Sequence, residues 1–105
     1  MAKARKIILV SATHHPLHKI WVQVAEKTAE ELGVEFETRM EDYVLLTEHG
    51  ATDDLGMTWL PQILVELDDG TIKPVLTEMP LGEDYKADPS RAVEVLKKNI
   101  RELEA

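Results

Sequence analysis

The sequence predicts an α/β domain: a four-stranded mixed sheet flanked by three helices, in the order β-α-β-α-β-β-α. Three observations carry this. A continuous apolar run near the start, KIILVSA, has strand length and no helical period. Two long stretches repeat apolar residues at three- and four-residue spacing, one after that run and one at the end of the chain. Between them, PQILVEL and TIKPVLTE flank the turn Asp68-Asp69-Gly70, the pattern of an antiparallel hairpin.

Lys6 to Ala12 is read as a strand buried on both faces. From Pro16, placed in the first helical turn, Leu17, Ile20, Trp21, Val24, Ala25, Thr28 and Leu32 form one face, and Gly33 supplies a left-handed end. Val34 to Met40 alternates Val34, Phe36, Thr38 and Met40 against Glu35, Glu37 and Arg39, as a half-buried strand does. Glu41 to Gly50 suits a short helix, and Ala51 to Trp59 reads as loop. Pro74, which has no N–H, puts the last strand at a sheet edge. Asp88 caps the terminal helix, with Pro89 in its first turn, Val93, Leu96, Ile100 and Leu103 as its stripe, and Glu94 paired with Lys98. The first two strands, joined through a helix, should be parallel.

The 105 residues suit a single domain spanning 1–105. A formal charge of −8 argues against nucleic acid and anionic membranes as partners, because both call for a cationic face. No apolar run reaches membrane-spanning length, and the apolar Ile7 to Val10 is too short for a secretory signal, so a cytoplasmic location is expected. The chain has no cysteine. It therefore forms no disulfide, thiolate-bound metal site or thiol nucleophile of its own.

The stretch THHPLHKIW concentrates three of the four histidines, His14, His15 and His18, within five positions. Neutral imidazole is a good ligand for zinc, nickel or copper, so these three form a candidate metal site, with no fourth ligand identifiable and His49 remote in sequence. A plainer structural reading makes His15 a helix cap and sets His18 at the shoulder of the apolar face. A third reading uses the backbone N–H groups at the helix start, beside Lys19, to hold an anion or peptide end. Ser11 and Thr13 next to the histidines suggest a hydroxyl–imidazole pair. The carboxylates suggest no acid–base pair, and no phosphate-binding glycine loop is present.

Element order and two local stretches together resemble the thioredoxin-like superfamily. GMTWLPQILVELDDG, Gly56 to Gly70, is similar to that family's stretch of glycine, cis-proline, apolar strand and turn, which makes Pro61 the cis-proline. HPLHK, His15 to Lys19, stands where the family keeps C-x-x-C-Lys, and Leu9 where thioredoxins keep a buried acid. The resemblance implies a surface groove between His15-Pro16-Leu17-His18 and Trp59-Leu60-Pro61, able to take an extended peptide, a protein partner or a small thiol such as glutathione. It also implies that the family's redox reaction is lost, since thiol–disulfide exchange needs sulfur as nucleophile and as leaving group. The expected function is thus a redox-inactive binding module, with divalent metal binding as the alternative and a small glutathione-dependent transferase as a third idea. The strand Thr71 to Thr77 offers an edge for self-association, although Lys73 and Pro74 look protective.

Overall fold

The computed structural model describes residues 2–105. It contains β1 (Ala4–Ser11), α1 (His18–Leu32), β2 (Glu35–Met40), α2 (Tyr43–His49), β3 (Gln62–Leu67), β4 (Ile72–Leu76) and α3 (Pro89–Glu104). The strands form one mixed sheet in the order β2-β1-β3-β4. β1 and β2 are parallel, while β3 is antiparallel to both β1 and β4. Among the described residues, no helix is long and apolar enough to cross a membrane.

The sheet is covered on both faces, unequally. Ile7 and Leu9 of β1 and Ile63 and Val65 of β3 point toward α1 and α3, where they join Trp21, Val24, Ala25, Ala92, Val93, Leu96 and Ile100 in one large cluster. Ile8, Val10 and Leu64 point the other way and meet a single fully buried residue of α2, Leu46. The uniformly apolar reading of β1 follows from this two-sided burial. Each such side chain contributes about 1.5–3 kcal/mol by leaving water, so most of the stability resides on the α1/α3 side.

Helix ends follow local chemistry. Gly33, at φ 69°, closes α1 by donating to the Ala29 and Glu30 carbonyls. The Asp42 carboxylate accepts the Leu45 N–H to start α2, and the Asp88 carboxylate accepts the Arg91 N–H to start α3. Gly70, at φ 89°, makes the hairpin turn between β3 and β4, and Pro74 lies in the edge strand β4.

Several local expectations are corrected. α1 starts at His18 rather than at Pro16, which instead occupies the second position of a turn closed by the His18 N–H on the His15 carbonyl at 3.0 Å. β2 is mostly exposed rather than half-buried, because it is the outer strand; Phe36 is the residue that packs inward. Leu103 is exposed near the chain end. Lys98 does not pair with Glu94. Lys97 does, at 3.2 Å, while also reaching Glu31 of α1 at 2.9 Å, so the packed helix pair decides the partner.

Where α2 leaves the sheet face uncovered, charged pairs fill it. Lys6 donates to Glu37 at 2.9 Å, Glu37 also holds Arg39, and Arg39 reaches Asp42 at 3.2 Å. The Lys6 and Arg39 bonds hold the Glu37 carboxyl below the usual range, and the Leu45 N–H with Arg39 does the same for Asp42. Lys97 lowers Glu31 likewise. A carboxyl depressed in the folded state stabilises it above the unfolded pKa and loses that contribution as pH falls through the folded one. Thermal midpoints should therefore fall below about pH 4, and Glu37→Gln should flatten that acid limb. An unchanged acid limb in thermal melts of the variant would remove Glu37 from this account. Because these groups are largely in solvent, the change is modest.

Candidate functional site

The candidate site is built at one end of the two central strands. Val10 of β1 lies opposite Gln62 of β3, so the chain leaving β1 at Ser11 and the chain entering β3 at Pro61 are neighbours at the same sheet end. The histidine turn follows the first, and Trp59-Leu60-Pro61 precedes the second. The Leu60–Pro61 peptide is cis, and Pro61 is buried.

Two successive turns shape the histidine segment. The Ala12 carbonyl accepts the His15 N–H at 3.0 Å, and the His15 carbonyl accepts the His18 N–H. The His15 Nδ1 then accepts the Leu17 N–H at 3.0 Å. An accepting Nδ1 places the proton of a neutral imidazole on Nε2. His15 thus braces the turn ahead of α1 rather than capping the helix, whose N-cap is Leu17 without a side-chain bond. The His18 Nδ1 lies 2.8 Å from the Ser11 Oγ. Ser11 is fully buried, so its hydroxyl orients the imidazole and is not open to attack a substrate. Thr13 and His14 are exposed.

The same contacts bear on the candidate metal set. Among the described residues, no group of three or more His, Asp or Glu side chains is placed to hold an ion. His14, His15 and His18 are sequence neighbours, yet two of them turn a ring nitrogen to a partner in the chain, a backbone N–H or a hydroxyl. The Asp53 Oδ1 accepts the Leu55 and Met57 N–H groups at 2.9 and 3.0 Å. His49 sits beside Glu48 at the end of α2.

The segment 51–61, which enters β3 at that end, is more ordered than its loop-like sequence implies. Thr52 and Thr58 form an antiparallel bridge, and Gly56, at φ 79°, turns the tip. Gln62, 0 % exposed, fastens this segment to the sheet. Its Oε1 accepts the Ala51 N–H at 2.9 Å, while its Nε2 donates to the Ala51 and Trp59 carbonyls and to Thr58 Oγ1. Trp59 is 36 % exposed and donates its indole N–H to the Thr77 carbonyl at 3.1 Å, just beyond β4. Leu55 and Met57 stand out at the tip, 87 % and 64 % exposed. Trp21, in contrast, is core at 2 %, as is Leu9 at 0 %.

Sequence reasoning missed two residues. Gln62 reads as an ordinary polar residue at a strand start, with no motif to mark it. Glu41 holds a left-handed backbone at φ 50°, an arrangement costing about 1–2 kcal/mol for a non-glycine residue. Its N–H donates to the Ser11 carbonyl at 2.8 Å, joining the end of β2 to the base of the site. No protein-family model, curated protein or solved structure matches this chain.

Proposed function

We propose that this chain is a thioredoxin-like, redox-inactive domain that binds an extended peptide segment of a protein partner, with small thiols as lesser ligands, between the His15–His18 turn and Trp59-Leu60-Pro61. One observation carries the reading: the two segments are brought to the same end of adjacent strands, β1 and β3. The exposed apolar residues Leu55, Met57 and Trp59 on one side of that end supply the surface on which partners are commonly anchored. Without cysteine the domain holds a ligand and does not exchange disulfides with it.

The test is an amide NMR titration with glutathione and, separately, with a pool of extended random-sequence heptapeptides. Shifts are expected at His15, Leu17, His18, Trp59 and Leu60, and Trp59→Ala should weaken the response at least ~10-fold, as for loss of an aromatic anchor. Shifts confined to other parts of the sheet, or a response indifferent to Trp59, would sink the proposal.

A further inference from the structure

The two edges of the sheet differ. β4 carries Lys73 and Pro74, and proline offers no N–H to an incoming strand. The outer edge of β2 carries no proline: Glu35–Met40 is an extended strand with no neighbour beyond it in the sheet, and Thr38, Arg39 and Met40 are exposed. We infer that β2 pairs antiparallel with β2 of a second copy, centred on Thr38, to give a two-fold symmetric dimer with one continuous sheet.

The strand's own sequence selects both partner and register. In a two-fold antiparallel pair the axis passes midway between one residue and its own copy, and residues equally far on either side face each other. Centred on Thr38, threonine meets threonine, Phe36 meets Met40 twice, and Glu37 meets Arg39 twice. These three pairings are favourable; the next pair outward, Glu35 with Glu41, is not formed as a strand pair because Glu41, at φ 50°, leaves extended backbone. Centred on Glu37 or on Arg39, identical charges face each other; centred on Phe36, Glu35 faces Glu37. Centring on Met40 would recruit Glu41, whose φ of 50° takes it out of extended backbone.

The sheet faces agree with this register. Phe36 joins the large core cluster, and two-residue periodicity puts Thr38 and Met40 on its side, so the Phe36–Met40 pairs would cover Met40, now 47 % exposed. Glu37 and Arg39 share the other face and already bond within one strand. Dimerisation exchanges that bond for two across the axis while Lys6 and Asp42 stay in reach as second partners. The interface is small and each copy carries −8, so the association is weak and reversible.

Sedimentation velocity on the full chain across a concentration series tests the idea. Wild-type protein should show monomer–dimer exchange with half-association near ~100 µM, as a small interface allows. Glu37→Arg alone puts arginines opposite each other, and Arg39→Glu alone puts carboxylates opposite each other; each should weaken self-association at least ~10-fold. Mixing the two variants makes every such pair opposite in sign, so the mixture should dimerise as well as wild type. Amide spectra of both variants verify that they are folded. Wild-type protein monomeric to about 1 mM, variants that dimerise undiminished, or a mixture that stays monomeric would each overturn the proposal.

Discussion

Replacing Gln62 with leucine is expected to destabilise the domain by about 3 kcal/mol, well beyond the usual surface substitution. The side chain is fully buried and makes four hydrogen bonds, all to the segment 51–59. Leucine is of similar size, so the loss is one of polar partners rather than volume. The Ala51 N–H and the Trp59 carbonyl would lose their side-chain partner while the Ala51 carbonyl keeps the Thr58 hydroxyl, and an unsatisfied buried group costs about 1–3 kcal/mol. Gly50 shows how closely the amide is seated: a Cβ there would lie 3.0 Å from Gln62 Oε1 and 2.8 Å from the Leu46 carbonyl. Urea unfolding gives the measurement, with the exposed Gln23→Leu as control. A Gln62→Leu loss under about 1 kcal/mol would mean that water or rearrangement satisfies the segment.

Trp21→Ala should cost about 3–5 kcal/mol, the range for deleting a large aromatic from a packed core. Trp21 is 2 % exposed and stands one turn beyond His18, in the cluster formed by α1, α3 and the sheet. Trp59→Ala, by contrast, removes a ring already 36 % exposed and should cost about 1 kcal/mol, mainly for its hydrogen bond to Thr77. Denaturant midpoints of the two variants decide the matter. Comparable losses would contradict the division into a core tryptophan and a surface one. Against the typical total of about 5–15 kcal/mol for a domain, the first loss brings the protein near its unfolding threshold and the second does not.

What the sequence made legible was whatever depends on local period and local turns. The apolar run of β1, the stripe of α3, the glycine turn at Gly70 and the cap at Asp88 are each determined within a few residues. Long-range partners were not legible in the same way. β2 alternates like a half-buried strand, but its exposure depends on being outermost, which is a property of the whole sheet. Lys97 rather than Lys98 meets Glu94 because α1 lies beside α3 and brings Glu31 with it. The histidines are an instructive middle case. Their adjacency and the nearby Ser11 are plain in the sequence, but ring direction is set by the Leu17 N–H and the Ser11 hydroxyl, which only the folded turns bring into place. Gln62 was invisible because its four partners come from residues folded back upon it.

The unequal covering of the sheet has a kinetic meaning. The histidine turn leads into α1, which is anchored by Trp21, Val24, Ala25, Thr28 and Ala29 in the large cluster. The segment from α2 through Leu60 is held to the sheet by the smaller cluster of Leu45, Leu46 and Leu60, by Gln62, and by the Trp59 bond to Thr77. Regions with few buried apolar contacts open locally at a fraction of the global unfolding free energy. The segment 51–59 is therefore expected to open more readily than α1, which amide hydrogen exchange would show. On the proposed function, a ligand held between the two segments would have one firm contact and one that yields, and the yielding segment would set how fast it arrives and leaves.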